Sequence, residues 1–220
     1  MPSSQPAKRT YDSARRRARA DDRRRRILAC ARSLFLANGY GPTTIAEIAA
    51  EAGVSVETIY RAWGSKAGVV RALLRQSLRG HDDAPPLVEG DAIKAVIAEP
   101  DARRQMELYG RLLAEVQPAL APLIRLLRES AGADPELAGT LEQHKRDRLE
   151  GMQSFAGLLH SRRALKDGLT TDAARDILWT MNSSEVYELL VGERSWTPQA
   201  YGSWIAGMLE SALLPGGSAA

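Results

Sequence analysis

The sequence has little of the chemistry that forms disulfides or crosses membranes. Its 220 residues contain one cysteine, Cys30, which excludes a disulfide framework and makes a reducing cytoplasm the expected compartment. No apolar run approaches the roughly 18 residues needed to span a bilayer. The basic N-terminus is not followed by the hydrophobic stretch of a secretory signal. We therefore expect a cytoplasmic protein with no membrane partner.

Sequence motifs for catalysis and cofactor binding are also missing. We find no glycine-rich phosphate loop, no Gly-x-Ser-x-Gly elbow, no His-Glu-x-x-His and no cysteine–histidine pair. His144 and His160 are 16 residues apart on one predicted helix, which is not a metal-ligand spacing. We expect neither enzymatic activity nor a cofactor nor a metal ion.

Aromatic residues are scarce, and sustained period-two alternation is absent. Hydrophobic residues nevertheless make up 44% of the chain, enough for a substantial core, and they recur at helical spacing. This pattern predicts an all-α protein.

The charge is divided unevenly along the chain. Residues 1–80 hold 16 Lys or Arg against six Asp or Glu, a net charge of +10. Residues 81–220 hold 14 against 21, a net charge of −7, so the whole chain carries only +3. The basic N-terminal part indicates a polyanion-binding region, and the acidic C-terminal part indicates a region that does not bind polyanions.

Composition divides the chain into three parts. Residues 1–20 offer little to bury and are expected to form a disordered basic arm, residues 21–80 a first domain, and residues 81–220 a second. Residues 81–90, rich in Asp, Pro and Gly, read as a linker. Arg15, Arg16, Arg17 and Arg19, followed by residues 23–26, form a dense basic run. Taken alone, such a run is a solvated, self-repelling tail.

Turn and capping residues predict the helices of both parts. In the first domain, the predicted helices run from Asp21–Asp22 to Asn38-Gly39, from a cap at Thr43 or Thr44 to Ala52, from Ser55 to Trp63, and from Ser65 to about Gly80. In the second, they cover residues 101–117, a segment after Pro118, residues 134–159 opened by Asp134-Pro135, residues 171–190, and a last helix from Thr197-Pro198 to about Leu214.

Residues 45–61 have the proportions of a helix-turn-helix. Ala49 and Ala52 allow two short helices to cross closely, Gly53 permits a sharp turn, and Val54 fills the space between the helices. The second helix can then project its N-terminal side chains into a major groove. We therefore predict a DNA-binding module here. The basic run that precedes it then favours phosphate or minor-groove contact over a solvated tail, with no individual arginine assigned.

The stretch from Arg23 to Leu74 resembles the N-terminal domain of TetR-family transcriptional regulators. The matching residues are Ala31, Phe35, Gly39-Tyr40, Thr44, Ile48-Ala49, Ala52-Gly53-Val54-Ser55, Thr58, Ile59-Tyr60 and Ser65-Lys66. The resemblance implies a three-helix DNA-binding domain with a helix-turn-helix, joined to a larger helical domain that binds effectors and dimerises.

Carried onto this chain, the resemblance implies phosphate contacts from Thr44, Tyr60 and Lys66. Hydroxyls, ammonium groups and helix N-termini are the groups that bind phosphates, so these roles are also physically reasonable. Ser55 would cap the recognition helix beside the DNA, and the residues facing the groove would be Val56, Glu57 and Thr58.

Two positions depart from the family pattern. Glu57 stands where the family often has glycine, and its carboxylate either accepts from cytosine, is repelled by phosphate, or turns away to cap the helix or pair with Arg61. Ala62-Trp63 replaces the family's His-Phe, so Trp63 is expected to be a packing residue. Arg61 either reads a base or faces a phosphate or solvent.

For the acidic second part, the resemblance implies a homodimer built from the last two long helices, residues 171–190 and 198–214. The apolar positions proposed for the interface are Ile177, Leu178, Met181, Leu189, Ile205, Met208 and Leu209. It also implies a pocket for a small apolar or amphipathic effector. The candidate pocket residues are Met106, Tyr109, Met152, Phe155, Trp179 and Tyr187, each of which could equally fill an ordinary core.

The sequence thus predicts a DNA-binding transcription factor, a ligand-responsive repressor that binds a palindromic double-stranded operator as a homodimer. Two alternatives stay open: a transcriptional regulator that acts without a small-molecule ligand, and a non-specific basic DNA-binding or interaction module. The DNA complex of a sequence-specific regulator should survive an excess of random competitor DNA, and that of a non-specific binder should not.

Overall fold

The computed structural model describes residues 7–79 and 90–216, and within these ranges it contains helices and connecting turns but no β-strand. The helices are α1 (Ala7–Asn38), α2 (Ile45–Ala52), α3 (Val56–Trp63), α4 (Lys66–Arg79), α5 (Asp91–Ala98), α6 (Ala102–Ser130), α7 (Pro135–Ser161), α8 (Thr171–Met181), α9 (Ser184–Tyr187) and α10 (Pro198–Leu213). The prediction of an all-α fold is confirmed.

The chain forms two compact units, Met1–Leu73 and Leu74–Ala220, so the division falls within α4. This is a few residues before the expected boundary at residue 80. The expected linker, residues 81–90, lies outside the described residues except for Gly90.

Helix α1 begins much earlier than its sequence signals indicate. It starts at Ala7, so residues 7–20 are helical rather than part of a disordered arm, and residues 1–6 lie outside the described residues. Alanine and arginine are among the best helix formers, and extending an existing helix costs far less than nucleating one. The expected start at Asp21–Asp22 is therefore wrong.

The first unit is built on a core shared by α1, α2, α3 and the start of α4. Ile27, Phe35, Ile48 and Ile59 are each at most 1% exposed, and the Phe35 ring stacks on the Tyr40 ring with centroids 5.8 Å apart. This packing fixes how α2 and α3 are held against α1.

In the second unit, α6 passes through Pro118 without a break. The sequence predicts two helices there, but residues 102–130 form one. A proline inside a helix costs about 3 kcal/mol. Continuation keeps Leu113 before the proline and Leu120 and Ile124 after it buried in the core, and this burial offsets the cost.

Helix α6 crosses α10 at two facing glycines, Gly110 and Gly202. A Cβ atom on either glycine would overlap the backbone carbonyl oxygen of the other. Since only glycine permits this approach, the crossing is specified by the sequence at these two positions.

The predicted helix over residues 171–190 is divided in two. Helix α8 ends at Met181, Ser183 caps α9 by accepting from the Val186 N–H, and α9 continues into a π-helical turn, Glu188–Glu193. The side-chain amide of Gln117 donates to the Asn182 carbonyl at 3.1 Å and so satisfies the backbone at the break.

Candidate DNA-binding surface and ligand cavity

Helix α2 begins with a complete capping box. The Thr44 hydroxyl accepts from the Glu47 N–H at 3.2 Å, and the Glu47 carboxylate accepts from the Thr44 N–H at 2.7 Å. The Thr44 hydroxyl also donates to this carboxylate at 2.9 Å, and the two hydrogen bonds that the carboxylate accepts from Thr44 hold the pKa of Glu47 below its usual value. The N-cap is therefore Thr44, which is one of the two residues that the sequence predicts for this position. The other, Thr43, is buried and donates to the Gly39 carbonyl at the end of α1.

The turn between α2 and α3 has the predicted form. Gly53 adopts a left-handed conformation with φ of +63°, and its N–H donates to carbonyls at the end of α2. Ser55 then caps α3 by accepting from the Thr58 N–H at 3.3 Å. The two helices are thus joined by a three-residue turn, the geometry of a helix-turn-helix.

Helix α3 buries one face and exposes the other. Ile59 and Trp63 are buried, which confirms the prediction that Trp63 is a packing residue. Tyr60 is 50% exposed and Arg61 is also exposed. Val56 is half-buried at the first turn, where backbone N–H groups also point outward. Helix α3 thus exposes a hydroxyl group at Tyr60 and a cation at Arg61, and its first turn adds the partly exposed methyl groups of Val56.

Glu57 is exposed, and its carboxylate is held on the first turn of α3. Its own backbone N–H, then the Ser55 hydroxyl, and more weakly the charge of Arg61, hold the pKa of this carboxyl below its usual value. The exposed carboxylate thus lies against the N-terminal end of α3.

Lys66 is occupied within the first unit. Its ammonium group donates to the carbonyl oxygens of Tyr40 at 2.8 Å, Gly41 at 3.2 Å and Thr43 at 2.9 Å, and lies 4.2 Å from the centroid of the Tyr40 ring. A lysine has three donors, so the phosphate contact implied by the resemblance would have to displace one of these bonds. The structure places Lys66 as an anchor of the loop between α1 and α2.

The basic run at residues 23–26 is partly engaged in the fold. The Arg26 side chain donates to the Ala52 carbonyl at 3.1 Å, Arg25 pairs with Asp22 at 2.7 Å, and Arg24 lies over the Trp63 ring. Arg23 is exposed. The run therefore both supports the helix-turn-helix and contributes positive charge beside it.

The second unit contains a cavity of about 760 Å³. Its walls come from the end of α4, from α5, α6 and α7, and from Asn182 after α8, and most lining side chains are aliphatic or aromatic. A cavity of this size with mostly apolar walls and a few polar groups is typical of small-molecule sites.

A polar cluster lies on the α7 side of the cavity. The Arg148 guanidinium donates from Nη2 to the Trp179 carbonyl at 3.2 Å and lies 4.5 Å from the centroid of the Trp179 ring, while its Nε is buried without a hydrogen-bond partner. Burial lowers the pKa of Arg148. His144, one turn earlier, is buried with its Nε2 unpaired.

Burial lowers the pKa of His144 to about 4, and the nearby Arg148 charge contributes to this shift. His144 is therefore neutral at pH 7, and Arg148 carries the positive charge of the cluster. His160 is exposed near the end of α7.

The six predicted pocket residues divide into two groups. Tyr109, Met152 and Phe155 line the cavity, and the Tyr109 hydroxyl lies 3.4 Å from the Met152 sulfur. The other three, Met106, Trp179 and Tyr187, do not line it. Met106 is fully buried, Tyr187 packs edge-to-face on Tyr201 with centroids 5.0 Å apart, and Trp179 is packed against the core. For these three the alternative of core packing applies.

Sequence reasoning missed Arg148, Gln117 and Asn182 as cavity residues. Gln117 accepts from the Ser184 hydroxyl at 3.0 Å while donating to the Asn182 carbonyl, so it is fully buried yet satisfied. A signal was present for α7: His144 and Arg148 continue the helical spacing of its apolar face. Polar residues within such a face indicate a site rather than a plain core.

The residues proposed for the dimer interface are also divided. Leu178, Ile205 and Leu209 are fully buried in the core of their own unit, so they cannot present an interface. Leu189 and Met208 are 53% and 37% exposed. The interface prediction is therefore wrong for the three buried residues, because they fall on the inward faces of α8 and α10.

Within residues 7–79 and 90–216, no helix is long and apolar enough to cross a membrane. The same residues contain no group of three or more His, Cys, Asp or Glu side chains placed to hold a metal ion. Cys30 is a half-buried thiol.

Residues 27–73 match the sequence profile of the family "Bacterial regulatory proteins, tetR family". A similar segment occurs in YvkB of Bacillus subtilis (strain 168), described as an uncharacterized HTH-type transcriptional regulator. The two are 40% identical over 73 residues, a match that covers 33% of this chain and 39% of the YvkB chain.

The fold extends this similarity over most of the chain. NalD, the secondary repressor of the MexAB-OprM multidrug efflux pump in Pseudomonas aeruginosa, superposes with a TM-score of 0.67 at 18% identity, covering 89% of this chain and 98% of NalD. The regulator FadR of Bacillus subtilis, solved with stearoyl-CoA, gives 0.65 at 18% identity, covering 84% and 96%. Residues 27–73 are thus similar to the DNA-binding segment of the TetR family of bacterial regulatory proteins, and the fold is similar to those of solved TetR-family regulators.

Proposed function

We propose that this protein is a ligand-responsive transcriptional repressor that binds a palindromic operator as a homodimer. The observation that carries the proposal is the exposed first turn of α3, held by the capped α2–turn–α3 frame. The sign of regulation is supported by fold relatives such as NalD, which is described as a repressor.

Within this proposal, Tyr60 and Thr44 contact backbone phosphates and Ser55, Val56, Glu57 and Thr58 form the surface that faces the major groove. Phosphate contacts fix the register of a protein on DNA, whereas base-edge contacts supply specificity. Val56 and the Thr58 methyl group suit thymine methyl contacts. Arg61 and the N-terminal basic run add sequence-independent affinity.

A homodimer doubles the few base contacts that one helix-turn-helix can make, and its two-fold symmetry matches a palindromic operator. The exposed Leu189 and Met208 support an interface on the last helices. The cavity in the second unit supports effector binding, which would weaken operator binding by stabilising a conformer with lower DNA affinity. In this role the protein is a cytoplasmic regulator and not an enzyme.

A gel mobility-shift competition tests the proposal. The duplex is the DNA upstream of the protein's own gene, and the competitor is random DNA of the same length. We expect the complex to survive roughly a thousandfold excess of competitor, as specific regulators do. Equal competition by both DNAs would overturn the proposal in favour of a non-specific basic module.

Deletion of residues 1–20 distinguishes the contribution of the N-terminal basic segment to DNA binding from that of α3. We expect lower affinity and a shallower salt dependence, because fewer phosphates are neutralised, while the preference for the specific duplex remains. Loss of that preference would place sequence reading in the deleted segment and contradict the role given to α3.

A further inference from the structure

We infer that the cavity selects amphipathic organic anions, and that Arg148 binds the anionic group while the apolar walls enclose the rest of the molecule. This inference rests on the proposed function as an effector-responsive regulator. It goes further by stating the charge of the effector and the residue that recognises it.

Arg148 is a cation whose charge has no carboxylate against it. A guanidinium carries five N–H donors, but its single hydrogen bond among the described residues is to the Trp179 carbonyl. No Asp or Glu of residues 7–79 and 90–216 forms an ion pair with it. A partly buried charge normally has such a partner, since removing it from water is costly.

The nearest acidic residues are engaged elsewhere. Glu185, whose charge acts on Arg148 from a distance, forms a salt bridge with Arg128 at 2.8 Å. Asp147 lies in the cavity lining but accepts from the Gln143 amide at 2.6 Å and is exposed. The cavity therefore has a cation available to a ligand and no acidic residue that already neutralises it.

The surrounding groups suit a carboxylate beside Arg148. His144 is neutral at neutral pH, because its pKa is lowered by burial and by the Arg148 charge, so it adds no positive charge of its own and can offer a neutral N–H. The Tyr109 hydroxyl has only a sulfur acceptor, a weak partner that a carboxylate can replace. Beyond this cluster most of the wall is apolar, for example at Leu113 and Leu158. The other cation of the lining, Arg75, is exposed and already has an interaction partner.

The experiment compares anions with neutral alcohols of the same shape. Dodecanoate is paired with dodecan-1-ol, and biphenyl-4-carboxylate with biphenyl-4-methanol, each titrated into the full-length protein by isothermal titration calorimetry. An apolar cavity alone favours the alcohols, which leave water more readily. We expect each anion to bind at least tenfold more tightly than its alcohol, the size of one charge-assisted hydrogen bond.

Three variants locate the preference. Arg148→Met should abolish it while the alcohols still bind, which also shows that the cavity is intact. Arg148→Lys should keep part of it. Arg146→Met is the matched control, since Arg146 is exposed on the same helix and does not line the cavity, and should behave as wild type. An anion preference that survives Arg148→Met, equal binding of anion and alcohol, or binding of none of the four probes overturns the inference.

The same probes are then added to the operator complex, so that two different failures can be told apart. If the alcohols release the operator as well as the anions do, the regulator stands and the anion selectivity is wrong. If the anions bind with the expected preference but leave operator affinity unchanged, the site stands and ligand-responsive regulation is wrong.

Discussion

The two units differ in how many polar side chains they bury. In the first unit, Thr43 is the one buried polar residue among those described. In the second, the buried polar residues are Gln105, Gln117, His144, Ser183 and Ser184. The first unit thus keeps nearly all of its polar side chains at the surface, whereas the second unit buries several of them.

The hydrogen bonds that cap α2 and α3 are local, although the Lys66 and Arg26 side chains of the first unit also bind carbonyl oxygens 23 to 26 positions away. Ser55 and Thr58, and Thr44 and Glu47, are partners three residues apart. Gln117 instead binds Asn182 across 65 positions of the sequence, and Arg148 binds Trp179 across 31. A surface made of helix ends can be specified by local sequence, whereas a polar interior depends on distant groups brought together by packing.

The largest effect on stability is expected at the close crossing of α6 and α10. Gly110→Ala should destabilise the second unit by about 3 kcal/mol, because the new methyl group overlaps the Gly202 carbonyl and the two helices must separate. Gly139→Ala is the control, at an exposed position of α7 with nothing near its Cβ, and should stabilise by up to about 1 kcal/mol. Residue-level hydrogen exchange measures both. Equal protection in the two variants would contradict the close crossing.

Acid should weaken the second unit through His144. Its folded pKa of about 4 lies below its ordinary value of about 6.5, so its contribution is complete above pH 6.5 and is lost as the pH falls towards 4. The charges that act on it are Arg148, Asp147 and Glu185. Between pH 7 and 4, wild type should lose about 3 kcal/mol more than His144→Gln.

Urea unfolding at a series of pH values measures this difference, since the carboxylates titrate in both proteins and largely cancel. Parallel stability curves for wild type and His144→Gln would show that His144 is not buried in its neutral form.

Lys66→Met should destabilise the first unit by about 2 kcal/mol, because three carbonyl oxygens lose a charged donor. Hydrogen exchange of α2 should report the loss. Arg61→Met, which removes an exposed cation of the same module, should change stability by less than about 0.5 kcal/mol. It should instead lower DNA affinity and reduce the salt slope by about one. Unchanged α2 protection in Lys66→Met, with weaker DNA binding alone, would restore Lys66 as a phosphate ligand.

The smallest effect is expected from Tyr60→Phe, which removes one exposed hydroxyl. If this group contacts a phosphate, affinity should fall roughly fivefold for the operator and for random DNA alike, since phosphates carry no sequence information. Fluorescence anisotropy with both duplexes measures the two changes. A loss confined to the operator would instead assign base reading to Tyr60.

The same division explains what the sequence could predict. The sequence predicts the turn at Gly53 and the cap at Ser55, and it narrows the cap of α2 to Thr43 or Thr44, because caps and turns act over three or four residues. The break at Asn182 and the passage of α6 through Pro118 were missed, because both depend on contacts between distant segments. For the cavity, aromatic and methionine residues are a partial guide, since Tyr109, Met152 and Phe155 line it while Met106 and Tyr187 belong to the core. The polar Arg148 within an apolar face was the better signal.

The most direct test of the central claim, that the first turn of α3 reads DNA sequence, is selection of binding sites from a pool of random duplexes. Wild type is compared with Val56→Ala, which removes methyl groups from the proposed reading surface, and with Tyr60→Phe. We predict that Val56→Ala relaxes the preference at one base pair in each half-site by about 1 kcal/mol, while Tyr60→Phe selects the wild-type sequence with lower affinity. An unchanged preferred sequence and unchanged selectivity in Val56→Ala would contradict the account.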